Sequence, residues 1–264
     1  MRIATWNVAS LRPRLERVEA WLAANEPDVC CLQETKCSDE AFPTMAFAAL
    51  DYEAAHHGNG QWNGVAILSK VGLEGVRAGF TGPRAREDDE ARLLVARCGG
   101  VEIASMYVPN GKAVGHESYV SKLDWLDRLS GELEASFDPS SPAAFCGDYN
   151  IAPEDRDVWD ISQFEGATHV SAPERAAFAR LLEWGLVDST RYLRPDEVGP
   201  FSWWDYRAGA FHKGWGMRID LVLVTRPLVA RLESAHVDRD ARKRGIKAAT
   251  APSDHAPVVV DLSD

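Results

Sequence analysis

The feature that most constrains this chain is a set of short apolar runs that each stop at an acid or an amide. Arg2 to Asn7 (RIATWN) ends in Asn7, Asp28 to Glu34 (DVCCLQE) ends in Glu34, and Val101 to Asn110 runs out at Asn110. The run from Ala143 breaks at Gly147 and then presents Asp148 and Asn150, while Asp254 and His255 stand just before the closing run Val258 to Leu262. Asp220 is embedded inside the run Met217 to Thr225. Apolar runs of this length read as buried strands. Charged groups are rarely buried unless they are paired or bound to a metal. A fold for this chain therefore has to gather several strand ends at one shared rim.

The stretch AAFCGDYNIAP (Ala143 to Pro153) is the clearest case. Alternate residues of an extended chain point the same way, so Asp148 and Asn150 are expected to share a face and Tyr149 to oppose it. Trp6-Asn7-Val8-Ala9 echoes Tyr149-Asn150-Ile151-Ala152, which hints at two related halves that each deliver an Asn from a strand end. Asn63 to Ser69 and Arg92 to Arg97 read as further strands. Helical spacing marks Pro13 to Glu26 and Glu117 to Leu133, and Ser171 with Glu174 forms a capping box for a helix through Trp184, closed by Gly185. Strands and helices interleave without a regular βα repeat, which favours helices packed outside a pair of mixed sheets. No phosphate-binding glycine loop of either common kind occurs.

At 264 residues and 45% hydrophobic, with no Gly/Ser tract or low-complexity block, the chain reads as one domain over residues 1–264. No apolar run is long enough to cross a bilayer. Five cysteines without a C-x-x-C pair argue against a disulfide framework and against a cysteine zinc site, and point to a reducing, cytoplasmic setting. The net charge of −11 is unexpected for a nucleic-acid partner. Charge is local, however: Arg239, Arg242, Lys243, Arg244 and Lys247 cluster in one segment, which is either a contact to DNA backbone or a solvated loop.

The donors at the strand ends define the chemistry. Oxygen ligands such as Glu34, Asp254 and Asn7 suit Mg²⁺ or Mn²⁺ and not zinc. His255 stands beside an acid at a strand start, with Asp220 available to orient it, and is a catalytic candidate. A fixed carboxylate and amide at Asp148 and Asn150 suit gripping a water molecule or a metal-bound oxyanion.

Six motifs then occur in one order: QET at Gln33 to Thr35, NGVAILS at Asn63 to Ser69, YVPNG at Tyr107 to Gly111, GDYNIAP at Gly147 to Pro153, RID at Arg218 to Asp220, and SDHAP at Ser253 to Pro257. In these the chain resembles the exonuclease III family of abasic-site endonucleases over nearly its whole length. The resemblance implies a four-layered αββα sandwich with two mixed sheets face to face, and a Mg²⁺-dependent DNA phosphodiesterase. It implies incision of duplex DNA at abasic sites with 3′-end trimming, by a monomer in the cytoplasm, on bacterial nucleoid DNA. It gathers Asn7, Glu34, Asp148, Asn150, Asp254 and His255 about the metal, with Glu34 the main ligand. Asp148 is implied to activate water or protonate the leaving oxygen, Asn150 to orient the water, and His255, held by Asp220, to contact the scissile phosphate with Tyr107 and Asn110. Lys112 is expected to reach DNA backbone, and Trp203, Met217 and Ile219 to form the pocket for a baseless sugar. Ala9 departs from the pattern, standing where many relatives carry Asn or Asp. Two alternatives stand beside this: another phosphodiesterase of the same superfamily (a nonspecific nuclease or a phosphatase), or a DNA-binding scaffold with a dead site. FSWWDY, Phe201 to Tyr206, also reads as a plain aromatic core cluster.

Overall fold

The computed structural model describes residues 1–86, 90–243 and 251–264. In chain order the strands are β1 (Arg2–Asn7), β2 (Val29–Gln33), β3 (Glu53–His57), β4 (Val65–Ser69), β5 (Glu74–Ala78), β6 (Leu93–Cys98), β7 (Val101–Tyr107), β8 (Ala143–Asp148), β9 (Leu186–Asp188), β10 (Trp203–Trp204), β11 (Gly216–Met217), β12 (Asp220–Thr225), β13 (Leu232–Val237) and β14 (Val258–Leu262). Among the described residues they form two six-stranded mixed sheets, ordered β13-β14-β1-β2-β4-β3 and β5-β6-β7-β8-β12-β9, and a two-stranded ribbon, β10-β11.

Alternation along the strands builds the layers. Ile3, Cys31, Val65 and Ile67 of the first sheet point inward against Ile103, Cys146, Val222 and Val224 of the second. Their neighbours Ala4, Trp6, Cys30 and Leu68 point outward, under Val18, Trp21 and Leu22 of the helix Leu15–Asn25. On the other side Leu93, Phe145, Leu221 and Leu223 are covered by Trp125, Leu126, Leu129 and Leu133 of the helix Glu117–Ser136 and by Phe178 and Leu181 of Ala172–Trp184. The order helix, sheet, sheet, helix is the four-layered sandwich expected. The capping box of Ser171 and Glu174 and the terminating Gly185, at φ 132°, are present as read.

Each sheet has one parallel pair, β1 with β2 and β7 with β8, flanked by antiparallel partners. A parallel pair requires a crossover, and the helices Leu15–Asn25 and Glu117–Ser136 supply it. The two halves thus share a plan, and the Trp-Asn and Tyr-Asn echo lies at the ends of β1 and β8. This topology makes the rim. The C-terminal ends of β1, β2, β7 and β8 coincide with the N-terminal starts of β12 and β14, which run the opposite way. Asp148 stands opposite both Asp220 and Tyr107 in register.

The expected strand Met217 to Thr225 is broken. The Arg218 amide donates to the Asp157 carbonyl (2.8 Å) and its guanidinium binds Asp157 (2.7 and 3.0 Å) and Asp188 (2.7 Å), so the chain leaves the ribbon at Met217 and enters β12 only at Asp220.

Candidate active site

Asn7 ties the two sheets together at the rim. Its side-chain NH₂ donates to Glu34 Oε1 (2.8 Å) from one sheet and to Asp148 Oδ2 (2.9 Å) from the other, while its Oδ1 accepts the Ala9 amide (2.9 Å). Glu34 follows β2 with φ +52°, a left-handed conformation that turns its side chain off the strand. Its carbonyl accepts from Ser10, pinning this turn to the loop after β1. Burial works against the Glu34 carboxylate, but Lys36 at 2.7 Å and Asn7 overcome it and hold its pKa below the usual range.

Asp148 and Asn150 do come together, by a different device from strand alternation. Asn150 takes φ +50°, and its backbone N–H folds back onto Asp148 Oδ1 (2.8 Å), an Asx-type turn. The Asn150 NH₂ donates to the Val108 carbonyl (2.9 Å) and Asp148 Oδ2 (3.2 Å), and its Oδ1 accepts from Asn110 (3.1 Å). Tyr149 points the other way as expected, into the helix layer against Phe178. Burial raises the Asp148 carboxyl to about 7; the nearby His255 cation opposes this and Asp220 reinforces it.

His255 Nδ1 lies 2.8 Å from Asp220 Oδ2, and its Nε2 faces Asp148 Oδ2 at 3.9 Å. Burial disfavours the imidazolium, yet Asp220, then Asp148 and Asp254, outweigh it and raise His255 to about 10. Ser202 donates to Asp220 Oδ2 (2.6 Å) and accepts the Ile219 and Asp220 amides, while Ser253 clamps the His255 loop to the Asn7 carbonyl (2.7 Å). Tyr107 is buried beside Glu34. Burial first, then the Glu34 charge, pushes its phenol well above its ordinary pKa.

Glu34, Asp148 and His255 each bring one ligand atom within 4.8 Å of the others, a spacing that suits a metal ion. Asp254 is outside this trio. Trp203 Nε1 donates to its Oδ2 (3.1 Å), and its Oδ1 is buried without a hydrogen-bond partner, as an oxygen kept for a ligand would be. This oxygen-dominated donor set fits a hard divalent cation.

The remaining sequence candidates spread outward. Asn110 and Lys112 are exposed on the loop after β7. Trp203, Met217 and Ile219 join one apolar cluster with Ala152, Val158, Phe164 and Val170. Met217 and Ile219 are almost fully buried, and the ribbon pairing Trp203↔Met217, not a shared strand, brings them together. FSWWDY divides between readings: Trp204 is core, Trp203 borders the site and Tyr206 is exposed. In the basic segment Arg239 and Arg242 lie over the Phe211 ring, and Arg242 also over Tyr206, while Lys243 is exposed beside Asp240. Arg244 and Lys247 lie outside the described residues.

Lys36, Ser202, Ser253 and the pair Lys122–Glu174 shape the rim but were not picked out from sequence as site residues. Ser202 and Ser253 stand inside quoted motifs, which was signal enough. Lys122 sits mid-helix among charged residues and gives none.

The Endonuclease/Exonuclease/phosphatase family model matches residues 4–255. Exodeoxyribonuclease III of Haemophilus influenzae is 35% identical, with 98% of each chain covered, and an exodeoxyribonuclease of Bacillus subtilis is 31% identical at the same coverage. Among solved structures, an AP endonuclease from Archaeoglobus fulgidus superposes with TM-score 0.93 at 37% identity, and a 3′-5′ exonuclease from Neisseria meningitidis with 0.94 at 34%, both chains covered fully in each case. The chain belongs to the endonuclease/exonuclease/phosphatase family, on its exodeoxyribonuclease III and AP endonuclease branch. Enzymes of this branch are hydrolases of DNA phosphodiester bonds. No helix among the described residues is long and apolar enough to cross a membrane.

Proposed function

We propose that this chain is a DNA-repair phosphodiesterase that uses Mg²⁺, with Mn²⁺ able to replace it. It incises duplex DNA 5′ to abasic sites and trims 3′ ends in the 3′–5′ direction. It works as a one-domain monomer in the cytoplasm, on nucleoid DNA. The observation that carries this is the convergence of Glu34, Asn7, Asp148, Asn150 and the Asp220–His255 pair on one rim.

Each group has a task in phosphodiester hydrolysis. Glu34, with Asp148, Asn7 and Asp254 around it, would hold the ion, which supplies charge neutralisation on the non-bridging phosphate oxygens. His255, held at Nδ1 by Asp220, is assigned to donate from Nε2 to the phosphate. Asn150 and Asn110 orient the attacking water and the phosphate. Asp148, near neutral in pKa, exchanges a proton with the water or the leaving oxygen. Tyr107, protonated throughout, donates to phosphate. Purified protein in Mg²⁺ should cleave a labelled abasic duplex and shorten recessed 3′ ends far faster than it cuts intact duplex. Equal cleavage of all three would point to a nonspecific nuclease instead.

Trp203, Met217 and Ile219 are assigned to the pocket for the baseless sugar. Extruding a nucleotide costs least where no base is stacked, and an apolar pocket rejects a normal base. Met217→Ala should lower abasic-site incision at least about tenfold more than 3′-end trimming. Equal losses in a variant with a wild-type circular dichroism spectrum would make these residues structural.

The basic segment and Lys112 are assigned to DNA backbone contact. Arg242 packs on rings, so its removal would confound binding with folding. Lys243 is the clean probe. Lys243→Ala should flatten the log–log salt dependence of DNA binding by about 0.9. An unchanged slope would return Lys243 to ordinary solvated surface.

A further inference from the structure

The buried ion pair Lys122–Glu174 lies beneath the rim with no part in the chemistry above. Both side chains are fully buried, 2.5 Å apart. Replacing a buried ion pair by apolar residues is often neutral or stabilising, so its presence calls for a reason other than stability.

The ammonium donates to the Asn150 carbonyl (2.6 Å) and the Asn110 carbonyl (3.3 Å) as well as to Glu174 Oε1. Its three protons are thus spent on the backbones of the two rim amides and on one carboxylate. Glu174 is equally committed: Oε1 accepts from Thr168 Oγ1 (2.8 Å) and the His169 amide (2.9 Å), and Oε2 from Ser171. Asn150 is held at φ +50°, a conformation that costs free energy unless its surroundings enforce it. Gly111 leaves no slack, because a Cβ there would stand 3.0 Å from Lys122 Cδ and 3.1 Å from Thr168 Oγ1.

We propose that Lys122, anchored by Glu174, is a positioning residue. It locks the Asn110 and Asn150 backbones so that their side chains, hydrogen-bonded to each other at 3.1 Å, meet water and phosphate in one fixed geometry. The inference rests on the phosphodiesterase reading. Lys122 reaches the ion-holding carboxylates only through Asn150 and Asp148, so its removal should act more strongly on kcat than on ion binding.

The test is Lys122→Met combined with Glu174→Gln, which avoids stranding a buried charge, beside Glu174→Gln alone. The double variant should lose about 30-fold in kcat, with KM for duplex DNA unchanged and the Mn²⁺ titration midpoint moved by a smaller factor than kcat, whereas Glu174→Gln, which keeps an oxygen acceptor for the ammonium, should lose at least about threefold less than the double variant. A folded double variant with kcat within threefold of Glu174→Gln would overturn the proposal, as would a loss appearing only in KM. Lys122→Gln, smaller and still a donor, covers a double variant that does not fold. It should lose about three- to tenfold in kcat alone, and no loss, or a loss in KM alone, would likewise overturn it. All effects are ratios to an active wild type, so a wild type lacking metal-dependent nuclease activity would sink the functional reading instead.

Discussion

Asp148→Asn should lower kcat by about 10³-fold at pH 7.5 while the Kd for duplex DNA changes by less than about threefold. Asp148 is the point where both sheets, both asparagines and His255 meet, and it accepts hydrogen bonds from Asn7 and Asn150. Asn is nearly isosteric and preserves the packing, but it cannot exchange a proton and offers a metal one neutral oxygen in place of a carboxylate. DNA binding should persist because His255, the cation assigned to the phosphate, is untouched, and removing a negative charge from the rim does not oppose a polyanion. The measurement is single-turnover cleavage beside fluorescence anisotropy binding. A kcat within tenfold of wild type would remove Asp148 from the chemistry, and a parallel collapse of binding would make the effect structural.

The second large effect concerns pH. Asp220→Asn should cost about 10²-fold in kcat/KM at pH 8 and recover a large part of that loss toward pH 6. The sign follows from the shift. Wild-type His255, raised to about 10, keeps its charge across neutrality and loses it only as pH rises through about 10. Its stabilisation of the fold has the same window: full below the ordinary histidine value near 6.5, and lost as pH rises through about 10. Without the Asp220 charge, burial opposes only Asp148 and Asp254, so the imidazole should lose its proton at lower pH and turn a lone pair toward the phosphate. Wild type should show no step from this group between pH 6 and 9. A variant whose loss is the same at both pH values would show that Asp220 does not act through the charge on His255.

Sequence and structure agree most closely in the interior. The eight runs read as strands became β1, β2, β4, β6, β7, β8, β12 and β14, the eight inner strands of the two sheets. Of the strands not read from sequence, β3, β5, β9 and β13 are the four edges of the two large sheets, and β10 belongs to the ribbon. Glu74–Ala78 is largely exposed and Leu232–Val237 only partly buried, so neither carries the apolar run that burial on both faces imposes. The site shows the same division. Residues at the ends of buried strands announced themselves, because an acid or amide closing an apolar run is costly without a partner. The turn geometry did not: nothing in GDYNIAP distinguishes alternation from the left-handed Asn150 that folds its amide onto Asp148. Nor does helical spacing reveal that Lys122 turns inward, since its partners Asn110, Asn150 and Glu174 come from three distant segments. The break at Arg218 was hidden for the same reason, its two carboxylate partners lying 61 and 30 residues upstream.

One rim, built from both sheets, is proposed to hydrolyse DNA phosphodiesters with a bound divalent ion. Single-turnover cleavage of a labelled duplex in Mg²⁺, in excess EDTA and after Mg²⁺ is restored tests it directly. The expected result is product formation in Mg²⁺, none in chelator, full recovery on restoration, and no cleavage under any condition by Glu34→Ala. Undiminished turnover in excess chelator, or a Glu34→Ala variant as active as wild type, would contradict it.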